Sequence, residues 1–173
     1  MAHCDLFAPK MLRLEGGFVN RKDDRGGPTN KGVTLATWRK VGYDKDGDGD
    51  IDVDDIRLLT IQDAIYVLKN IYWDRWKGDL IHNQSIAEIL VDWVWSSGKW
   101  GIVIPQRILG LADDGIVGVN TLQAFNNADH QKFHCDTYQA REKFFEDIVT
   151  AHPDQKINLH GWLNRLNQFK YIV

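Results

Sequence analysis

The chain has 173 residues, of which 43% are hydrophobic and four are proline, and this composition predicts a compact globular protein and excludes a disordered one. Its length fits one domain with a smaller C-terminal subdomain. The formal charge of −3 is concentrated in residues 44–55, which hold seven aspartates and one lysine, while the rest of the chain carries +3. That balance excludes a dedicated nucleic-acid binder, which needs a dense basic face.

The sequence shows no recognisable export or membrane signal. No stretch approaches the roughly 18 uninterrupted apolar residues of a membrane span, so no integral membrane segment is predicted. Residues 1–7 lack a basic region followed by an apolar one, and they do not resemble an ordinary signal peptide. If the protein works outside the cytoplasm, where it is made, another mechanism must release it.

The cysteines and histidines give only weak evidence for a metal site. Cys4 and Cys135 lie far apart and in no redox or metal-ligand spacing, which favours two reduced, partly buried thiols. His130 and His134 stand four residues apart beside Cys135, a spacing that could hold zinc on a helix. Because no third ligand is in view, the sequence does not favour zinc.

The N-terminal part is predicted to form a short helix and then a small β-hairpin. The helix covers residues 5–14, and a glycine pair ends it, which leaves Glu15 on its last turn. Glycine and other turn formers follow, with Phe18-Val19 and Val33-Thr34 as the edges of the hairpin.

The rest of the chain is predicted to be helical apart from the acidic segment. Residues 60–63, Thr-Ile-Gln-Asp, resemble a capping box with Asp in place of Glu. Ser85 can cap the next helix, which is apolar almost all round and therefore central. The predicted helices span 34–41, 60–72, 86–95, 102–109, 120–127, 131–150 and 159–170. The fold class is therefore mainly α with one small β-hairpin.

Residues 15–34 say most about chemistry, because two acids bracket a glycine-rich turn there. Glu15 precedes two glycines, and Asp24 is followed by Gly26-Gly27 and by Thr29. Two carboxylates on either side of a bound sugar are what glycoside hydrolysis needs. Glu15 would act as general acid among apolar neighbours, Asp24 would activate water or stabilise positive charge on the sugar, and Thr29 could orient that water. The alternative is a solvent-facing glutamate and a turn-forming aspartate.

These residues resemble the signature of glycoside hydrolase family 108. The matching segments are Glu-Gly-Gly-Phe-Val-Asn at 15–20 and Asp-x-Gly-Gly-x-Thr-Asn-x-Gly-Val-Thr at 24–34, whereas Arg21-Lys22 stand where the family usually carries an acid. The family comprises lysozyme-like N-acetylmuramidases, including phage-type endolysins and proteins labelled secretion activators. The resemblance implies a lysozyme-like helical fold and cleavage of the bond between N-acetylmuramic acid and N-acetylglucosamine. The implied substrate-binding residues are Gly26, Gly27, Asn30 and Asp92.

Three later segments also resemble the family. Residues 91–98 are similar to its Val-Asp-x-x-Trp-x-Ser-Gly helix end, in which Asp92 either supports the site or is a satisfied helix-face acid. Residues 106–122 resemble its predicted peptidoglycan-binding region, except that related modules often have proline at the position of Val119. Residues 161–165 resemble its C-terminal end.

The resemblance covers nearly the whole chain and implies two regions. Residues 1–98 are expected to form a lysozyme-like catalytic region that includes the acidic loop. Residues 99–173 are expected to form a helical, peptidoglycan-binding-like region, packed with the first as one compact unit. The implied partner is the glycan strand of peptidoglycan, and no cofactor is implied for catalysis. With this substrate we expect a monomer that is made in the cytoplasm and acts on the cell wall or in the periplasm after holin-type or other non-classical release.

The aspartate cluster matches an EF-hand-like calcium loop almost position for position. Loop positions 1, 3, 5, 9 and 12 carry acids, position 6 is glycine, position 8 is apolar, and position 7 contributes its backbone carbonyl. Asp55 replaces the usual glutamate at position 12, which should weaken bidentate binding. A solvated acidic loop is the alternative. The predicted ligands of a structural calcium ion are Asp44, Asp46, Asp48, Asp50, Asp52 and Asp55.

Three functions remain open from the sequence. The first is a peptidoglycan hydrolase, an N-acetylmuramidase with Glu15 as general acid. The second is a non-lytic peptidoglycan-binding protein of a secretion or lysis system. The third is a calcium-dependent interaction module, because the acidic loop also resembles a dockerin loop, although dockerins carry two. Several tryptophans could stack on sugar rings, but their helical spacing favours the core for most of them. They are Trp73, Trp76, Trp93, Trp95 and Trp100.

Overall fold

A computed structural model describes residues 1–20 and 27–172 and shows a mainly α-helical protein with a small antiparallel hairpin. The mainly helical fold class predicted from the sequence is confirmed. The chain forms two compact units. The N-terminal unit is Cys4–Ile71, and the C-terminal unit is Tyr72–Val173 together with Met1–His3. This boundary lies earlier in the chain than the division after residue 98 that the sequence suggested.

The N-terminal unit contains four short helices and the hairpin among its described residues. Its elements in chain order are α1 (Cys4–Leu14), β1 (Thr29–Asn30), β2 (Val33–Thr34), α2 (Leu35–Val41), α3 (Val53–Arg57) and α4 (Ile61–Val67). The chain continues from α4 as a π-helical segment, Leu68–Trp73. One face of α1 is buried and packs against α4. Since buried Phe7, Ala8 and Met11 are three to four residues apart, helical spacing explains that face.

Side-chain caps fix where the helices of this unit begin. The capping box predicted at Thr60 is confirmed, because the Asp63 N–H donates to the Thr60 hydroxyl at 3.2 Å and the Thr60 N–H donates to Asp63 at 2.7 Å. The Thr34 hydroxyl likewise accepts the Thr37 N–H at 3.1 Å and starts α2. The predicted helix over 60–72 is regular only to Val67, where the π-helical segment takes over.

The hairpin differs from its prediction. The paired strands are β1 and β2, in which Thr29 faces Thr34 and Asn30 faces Val33. Phe18 lies outside both strands, and Val19 instead forms an isolated antiparallel bridge with Thr29. The reason is that Lys31 and Gly32, both with positive φ, form a two-residue turn within the 29–34 segment, so the tight hairpin closes locally.

The C-terminal unit is built around a central helix, α5, as its apolar sequence predicted. The helices are α5 (Gln84–Ser97), α6 (Trp100–Ile108), α7 (Val119–Asn127), α8 (His130–Ala151) and α9 (Lys156–Leu166), with 3-10 turns at Asp74–Trp76, Gly78–Leu80 and Pro153–Gln155. Both α6 and α8 pack against α5, and α9 packs against α8. None of the helices in the described residues is long and apolar enough to cross a membrane.

Contacts at the two ends of α5 explain why the helix begins and ends at other residues than predicted. Asn83, and not Ser85, caps the helix by accepting the Ile86 N–H at 3.1 Å. The Ser85 hydroxyl accepts the Ile172 N–H at 3.0 Å instead. At the other end Gly98 has a φ of 59°, and a Cβ on Gly101 would lie 2.5 Å from the Val94 nitrogen. Because only glycine permits that approach, α6 begins close against α5.

Candidate functional site

Glu15 lies immediately after α1, at the edge of open space. The residue is half-buried, and its N–H donates to the Leu12 carbonyl at 3.4 Å, which closes the last turn of the helix. A Cβ built on Gly16 or on Gly17 would meet no atom within 4 Å, so the backbone that follows Glu15 is uncovered. Phe18 follows, 39% exposed, with the Arg57 guanidinium 5.2 Å from its ring centroid. The exposed backbone beside this carboxyl group leaves room for a substrate.

The segment after Glu15 is joined to the hairpin that carries Thr29. The Val19 N–H donates to the Thr29 carbonyl at 2.7 Å, and the Thr29 N–H donates to the Val19 carbonyl at 2.9 Å. The Thr29 hydroxyl donates to the Gly27 carbonyl at 3.0 Å and is part-buried. Gly27 has a φ of 69° with open space around it, so the turn exposes backbone there. The bridge therefore aligns Thr29 with the strand-like residues that follow Glu15.

Two of the predicted site residues, Asp24 and Gly26, lie outside the described residues. Their roles as second catalytic acid and as substrate contact stay predictions. A separation of about 5–5.5 Å between the two carboxyl groups would indicate a retaining mechanism, and about 6.5–9.5 Å an inverting one.

Asn30 has a structural position in the hairpin. Its side chain is 3% exposed, and its amide donates to the carbonyls of Ile56 at 2.8 Å and Arg57 at 3.4 Å. A buried amide satisfied by two backbone carbonyls fastens β1 to the end of α3. In this arrangement Asn30 offers almost no surface to a glycan. It supports Thr29, its neighbour, by holding the hairpin in place.

In the acidic loop, aspartate carboxylates accept hydrogen bonds from backbone N–H groups of the same segment. Asp44 accepts the Gly47 N–H at 2.6 Å and the Gly49 N–H at 2.8 Å, and Asp48 accepts the Asp50 N–H at 3.1 Å. Buried Asp55, 1% exposed, accepts the N–H groups of Lys45 at 2.5 Å and Asp52 at 2.7 Å. These bonds orient carboxylate oxygens on one short loop.

The predicted calcium ligands come together as two groups of three. One oxygen from each of Asp44, Asp46 and Asp48 lies within 4.8 Å of the others, and the same holds for Asp50, Asp52 and Asp55. An all-oxygen donor set of this kind fits a hard cation such as calcium. Among the described residues these are the metal-ligand clusters, and His130, His134 and Cys135 form none. Cys135 is exposed, whereas Cys4 is buried.

Repulsion between neighbouring carboxylates contributes to the pKa shifts of the aspartates in this loop. Repulsion from Asp48 raises the pKa of Asp50, with desolvation and Asp52 adding to the shift. Desolvation and nearby carboxylates raise the pKa of Asp46. The N–H groups of Gly49 and Gly47 lower the pKa of Asp44. A bound cation would relieve the repulsion, so the charge of the loop is also compatible with a cation held by these carboxylate oxygens.

An ion pair links the loop to the start of α4. The Lys45 ammonium lies 2.7 Å from the Asp63 carboxylate, and both side chains are about nine-tenths buried. Burial alone would raise the pKa of Asp63, but the Lys45 ammonium and the N–H and hydroxyl of Thr60 outweigh it and lower the pKa overall. Asp63 therefore both caps α4 and anchors the first residues of the loop.

Asp92, a predicted substrate-binding residue, is enclosed in the C-terminal unit. It has no exposed surface, and its oxygens pair with Arg141 at 2.6 Å and with Arg165 at 2.8 Å and 3.0 Å. Burial lowers the pKa of Arg141, and the Asp92 carboxylate opposes that shift. Of the two possibilities left open by the sequence, this geometry is that of a satisfied helix-face acid, since a glycan cannot touch it here. The triad joins α5, α8 and α9.

The segment that resembles a peptidoglycan-binding region is held by one buried side chain. Gln106 is 1% exposed, and its amide donates to Asp114 at 2.9 Å and to the Ile116 carbonyl at 3.0 Å. Its side-chain oxygen accepts the Gly115 N–H at 2.9 Å. The polar residues of this segment are therefore used to shape the turn before α7. Ile116 and Val119 remain on the surface, 66% and 65% exposed.

Sequence reasoning missed Arg141 and the exposure of Trp100. Three ring centroids, those of Trp93, Phe145 and Phe169, lie within 6.0 Å of the Arg141 guanidinium. An arginine beside a Phe-Phe pair in a helix was a usable signal, but its partner Asp92 is 49 residues away. Trp73, Trp76 and Trp93 are core residues, as their spacing indicated. Trp100 is 40% exposed.

The candidate site of this mainly helical protein therefore consists of the half-buried carboxyl group after α1 and the hairpin that pairs with the segment following it. Residues 8–98, more than half of the chain, match the model of the family described as glycosyl hydrolase 108, and the chain belongs to this family. Residues 100–167 match a second model, described as a predicted peptidoglycan domain. The chain is thus a peptidoglycan hydrolase or binder.

A solved structure supports the fold. The chain is 23% identical to the protein in the structure of Brucella abortus SagA, over 96% of this chain and 94% of that chain, with a TM-score of 0.73. At this identity the likeness establishes the fold alone. No curated protein matches the chain at a significant level.

Proposed function

We propose that the protein is an N-acetylmuramidase that cleaves the bond between N-acetylmuramic acid and N-acetylglucosamine, with Glu15 as general acid. The observation that carries this proposal is the position of Glu15 in the family-matched segment. It follows α1 directly, is half-buried, and precedes two glycines with open space around them. A general acid needs both partial burial and access to the glycosidic oxygen.

Thr29 and Asp24 complete the proposed machinery. The pairing of Val19 with Thr29 supports a role for Thr29 in orienting a water molecule, because it aligns the hydroxyl-bearing strand with the segment after Glu15. Asp24, in the matched glycine-rich segment, would stay ionised and activate that water or stabilise positive charge on the sugar. Gly26 and Gly27 would allow the substrate to approach the backbone closely.

Calcium is proposed as a structural ion and has no step in catalysis. Asp44, Asp46, Asp48, Asp52 and Asp55 would hold it with side-chain oxygens, and position 7 would add its backbone carbonyl. The proposal is supported by the two aspartate groups and by the repulsion within them. Since α3 follows the loop and receives the Asn30 amide, the ion would also steady the hairpin that carries Thr29.

The cellular setting follows from the proposed substrate. A muramidase has its substrate in the cell wall, and we propose that the protein acts there after non-classical release, as an endolysin or in a secretion system. Its partner is the glycan strand of peptidoglycan, in keeping with the predicted peptidoglycan domain.

The decisive experiment compares Glu15→Gln with the wild type on purified insoluble peptidoglycan. We expect the loss of the general acid to reduce hydrolysis by at least about 100-fold, while the fold is retained. Asp5→Asn is the matched control, because it makes the same carboxylate-to-amide change at an exposed position of α1. Hydrolysis by Glu15→Gln at the rate of the control would refute the assignment of Glu15.

The bond that is cleaved is read from the new reducing end. After borohydride reduction of the digest, a muramidase leaves muramitol at the end of each fragment, and mass spectrometry identifies it. Glucosaminitol would show cleavage of the other bond, and anhydro sugars would show a non-hydrolytic reaction. Either product would contradict the proposed specificity.

A non-lytic peptidoglycan-binding protein is the second candidate. It is favoured by the separate match of residues 100–167 to the predicted peptidoglycan domain. Wild-type protein that sediments with the cell wall and releases no reducing ends under any condition would establish this alternative.

A further inference from the structure

The C-terminal unit contains a groove that none of the preceding roles uses. Its volume is about 500 Å³, which is in the range of small-molecule sites. It lies between the end of α5, the start of α6 and the last turns of α8. The residues that matter for recognition are Ser96, Ser97, Trp100, Phe144, Asp147 and His152.

The apolar part of the groove is a pair of aromatic rings. Trp100 is 40% exposed, although three other tryptophans of this unit have no exposed surface. Its ring centroid lies 6.4 Å from that of Phe144, which in turn packs against Trp93 at 5.9 Å. Phe144 therefore holds Trp100 against the core. The Lys99 ammonium lies 5.4 Å from the Trp100 centroid, and this exposed contact is weak enough for a ligand to displace.

The polar part of the groove is anchored to the buried ion triad. Arg141 donates to the Ser96 hydroxyl at 3.1 Å, and the Ser96 and Ser97 hydroxyls lie 3.3 Å apart. Ser96 also donates to the Trp93 carbonyl at 3.3 Å. The hydroxyl groups at the rim are thus oriented by a fully buried guanidinium. Such fixed groups bind a ligand at a lower entropic cost than free ones.

Asp147 supplies the strong hydrogen-bond acceptor of the groove. Its contact with Lys143, at 3.0 Å, is a surface ion pair with both side chains mostly exposed, so it is worth little and leaves the carboxylate accessible. His152 ends α8 at the same rim. An aromatic ring flanked by hydroxyl and carboxylate groups suits a sugar, whose apolar ring face stacks while its hydroxyl groups donate hydrogen bonds.

We infer that this groove binds a sugar segment of the peptidoglycan glycan strand, with Trp100 stacking on a ring and Asp147 and Ser97 accepting from its hydroxyl or amide groups. The inference builds on the proposed peptidoglycan partner and names the place where the predicted peptidoglycan domain holds it. Trp100, Phe144, Asp147 and His152 all lie within the matched residues 100–167. In the Gln106-centred turn, by contrast, the polar groups hydrogen-bond to one another.

The test measures binding without turnover. Every variant carries Glu15→Gln, and co-sedimentation with purified insoluble peptidoglycan gives an apparent Kd. Trp100→Ala should weaken binding by at least about tenfold, Trp100→Phe by less, and Asp147→Asn by about tenfold. Tyr66→Ala is the control, an exposed aromatic residue of the N-terminal unit at 50% exposure, and should leave the Kd unchanged. Thermal unfolding confirms that each variant is folded.

Glycan strands freed of their peptides by an amidase identify the ligand. We expect these strands to compete with the intact wall for binding, and Trp100→Ala to weaken that competition. Failure of peptide-free strands to compete would overturn the inference in favour of a peptide ligand. Unchanged binding in both Trp100→Ala and Asp147→Asn would also overturn it. A further variant, Ile116→Ser, probes the exposed surface of the turn before α7, and a loss of binding confined to this variant would overturn the inference as well. Since no arm requires hydrolysis, failure of the proposed activity would be seen separately.

Discussion

The two units of the molecule differ in how their acidic side chains are neutralised. In the C-terminal unit the buried carboxylate of Asp92 meets the guanidinium groups of Arg141 and Arg165, and aromatic rings surround Arg141. In the N-terminal unit seven aspartates lie within residues 44–55, and repulsion among them raises the pKa of Asp50. One unit supplies its own counter-charges, whereas the other is expected to need a cation. Each unit should therefore lose stability to a different perturbation.

Asp92→Asn should have the largest effect on stability. The substitution keeps the shape of the side chain but leaves two guanidinium groups without their carboxylate, and removing one partner of a buried pair costs about 3–5 kcal/mol. Urea unfolding followed by tryptophan fluorescence measures the loss, because six of the seven tryptophans lie in the C-terminal unit.

The control for this variant is Asp136→Asn on α8. Asp136 pairs with Lys132 at the surface, where such a pair contributes at most about 0.5 kcal/mol. Equal destabilisation of the two variants would mean that the buried triad has no special weight in this unit.

Calcium should have the next largest effect, and it should act on the N-terminal unit. At a concentration about 100-fold above its Kd, an ion that binds only the folded state adds about 2.7 kcal/mol to the free energy of unfolding. Trp38 reports on this, since it is the tryptophan of residues 4–71 and its indole N–H donates to the Tyr43 carbonyl at 3.1 Å, directly before the loop. We expect calcium to change its fluorescence and EDTA to reverse the change.

Two variants sharpen the calcium experiment. Asp55→Asn should abolish the response, whereas Asp54→Asn, next to it but outside the predicted ligands, should keep it. Trp38→Phe should remove the signal without removing calcium-dependent stabilisation. An identical melting temperature in calcium and in EDTA would show that the loop is simply a solvated acidic segment.

Asp63→Asn should have the smallest effect and a distinct dependence on pH. The substitution removes the negative charge that pairs with Lys45 and weakens the side-chain half of the capping box, at a cost of about 1–2 kcal/mol. Because the folded-state pKa of Asp63 lies below the ordinary value of 3.8, this contribution is complete above pH 3.8 and is lost as the pH falls through the folded pKa.

Chemical denaturation of the two proteins over a range of pH measures this difference. The gap between wild type and Asp63→Asn should be constant near neutral pH and should close below about pH 4. A gap that widens on acidification would contradict the direction assigned to the pKa.

Local signals explain which elements could be predicted from the sequence. Thr60 and Asp63 form their capping box within four residues, and α5 follows from an apolar run, so both were readable. Serine and asparagine are both good caps, so the sequence predicts Ser85 as the cap of α5, and only the contact with Ile172 shows that Ser85 is used elsewhere. The sequence predicts a wider hairpin than the structure shows, because the tight turn at Lys31-Gly32 competes with the longer pairing to Val19.

The candidate site shows the same limit. The position of Glu15 after α1 followed from the sequence, since a helix and its stop are local. The burial of Asn30 against α3 and of Asp92 against Arg141 and Arg165 did not, because these partners lie 26, 49 and 73 residues away. Resemblance to a family marks such residues without telling whether they touch the substrate or the core.

The sequence by itself determined the family, the helical class, the acid after α1 and the calcium-like spacing of the aspartates. These properties depend on residue types at short, fixed spacing, and such local patterns can be recognised in the sequence alone. Only the tertiary structure decided that Asp92 is a buried counter-ion, that Asn30 is a tether and that Trp100 alone among the five candidate tryptophans is as much as 40% exposed. The physical reason is that the burial of a side chain and its interaction partners depend on which helix faces pack together. Those contacts join residues that are far apart in the sequence.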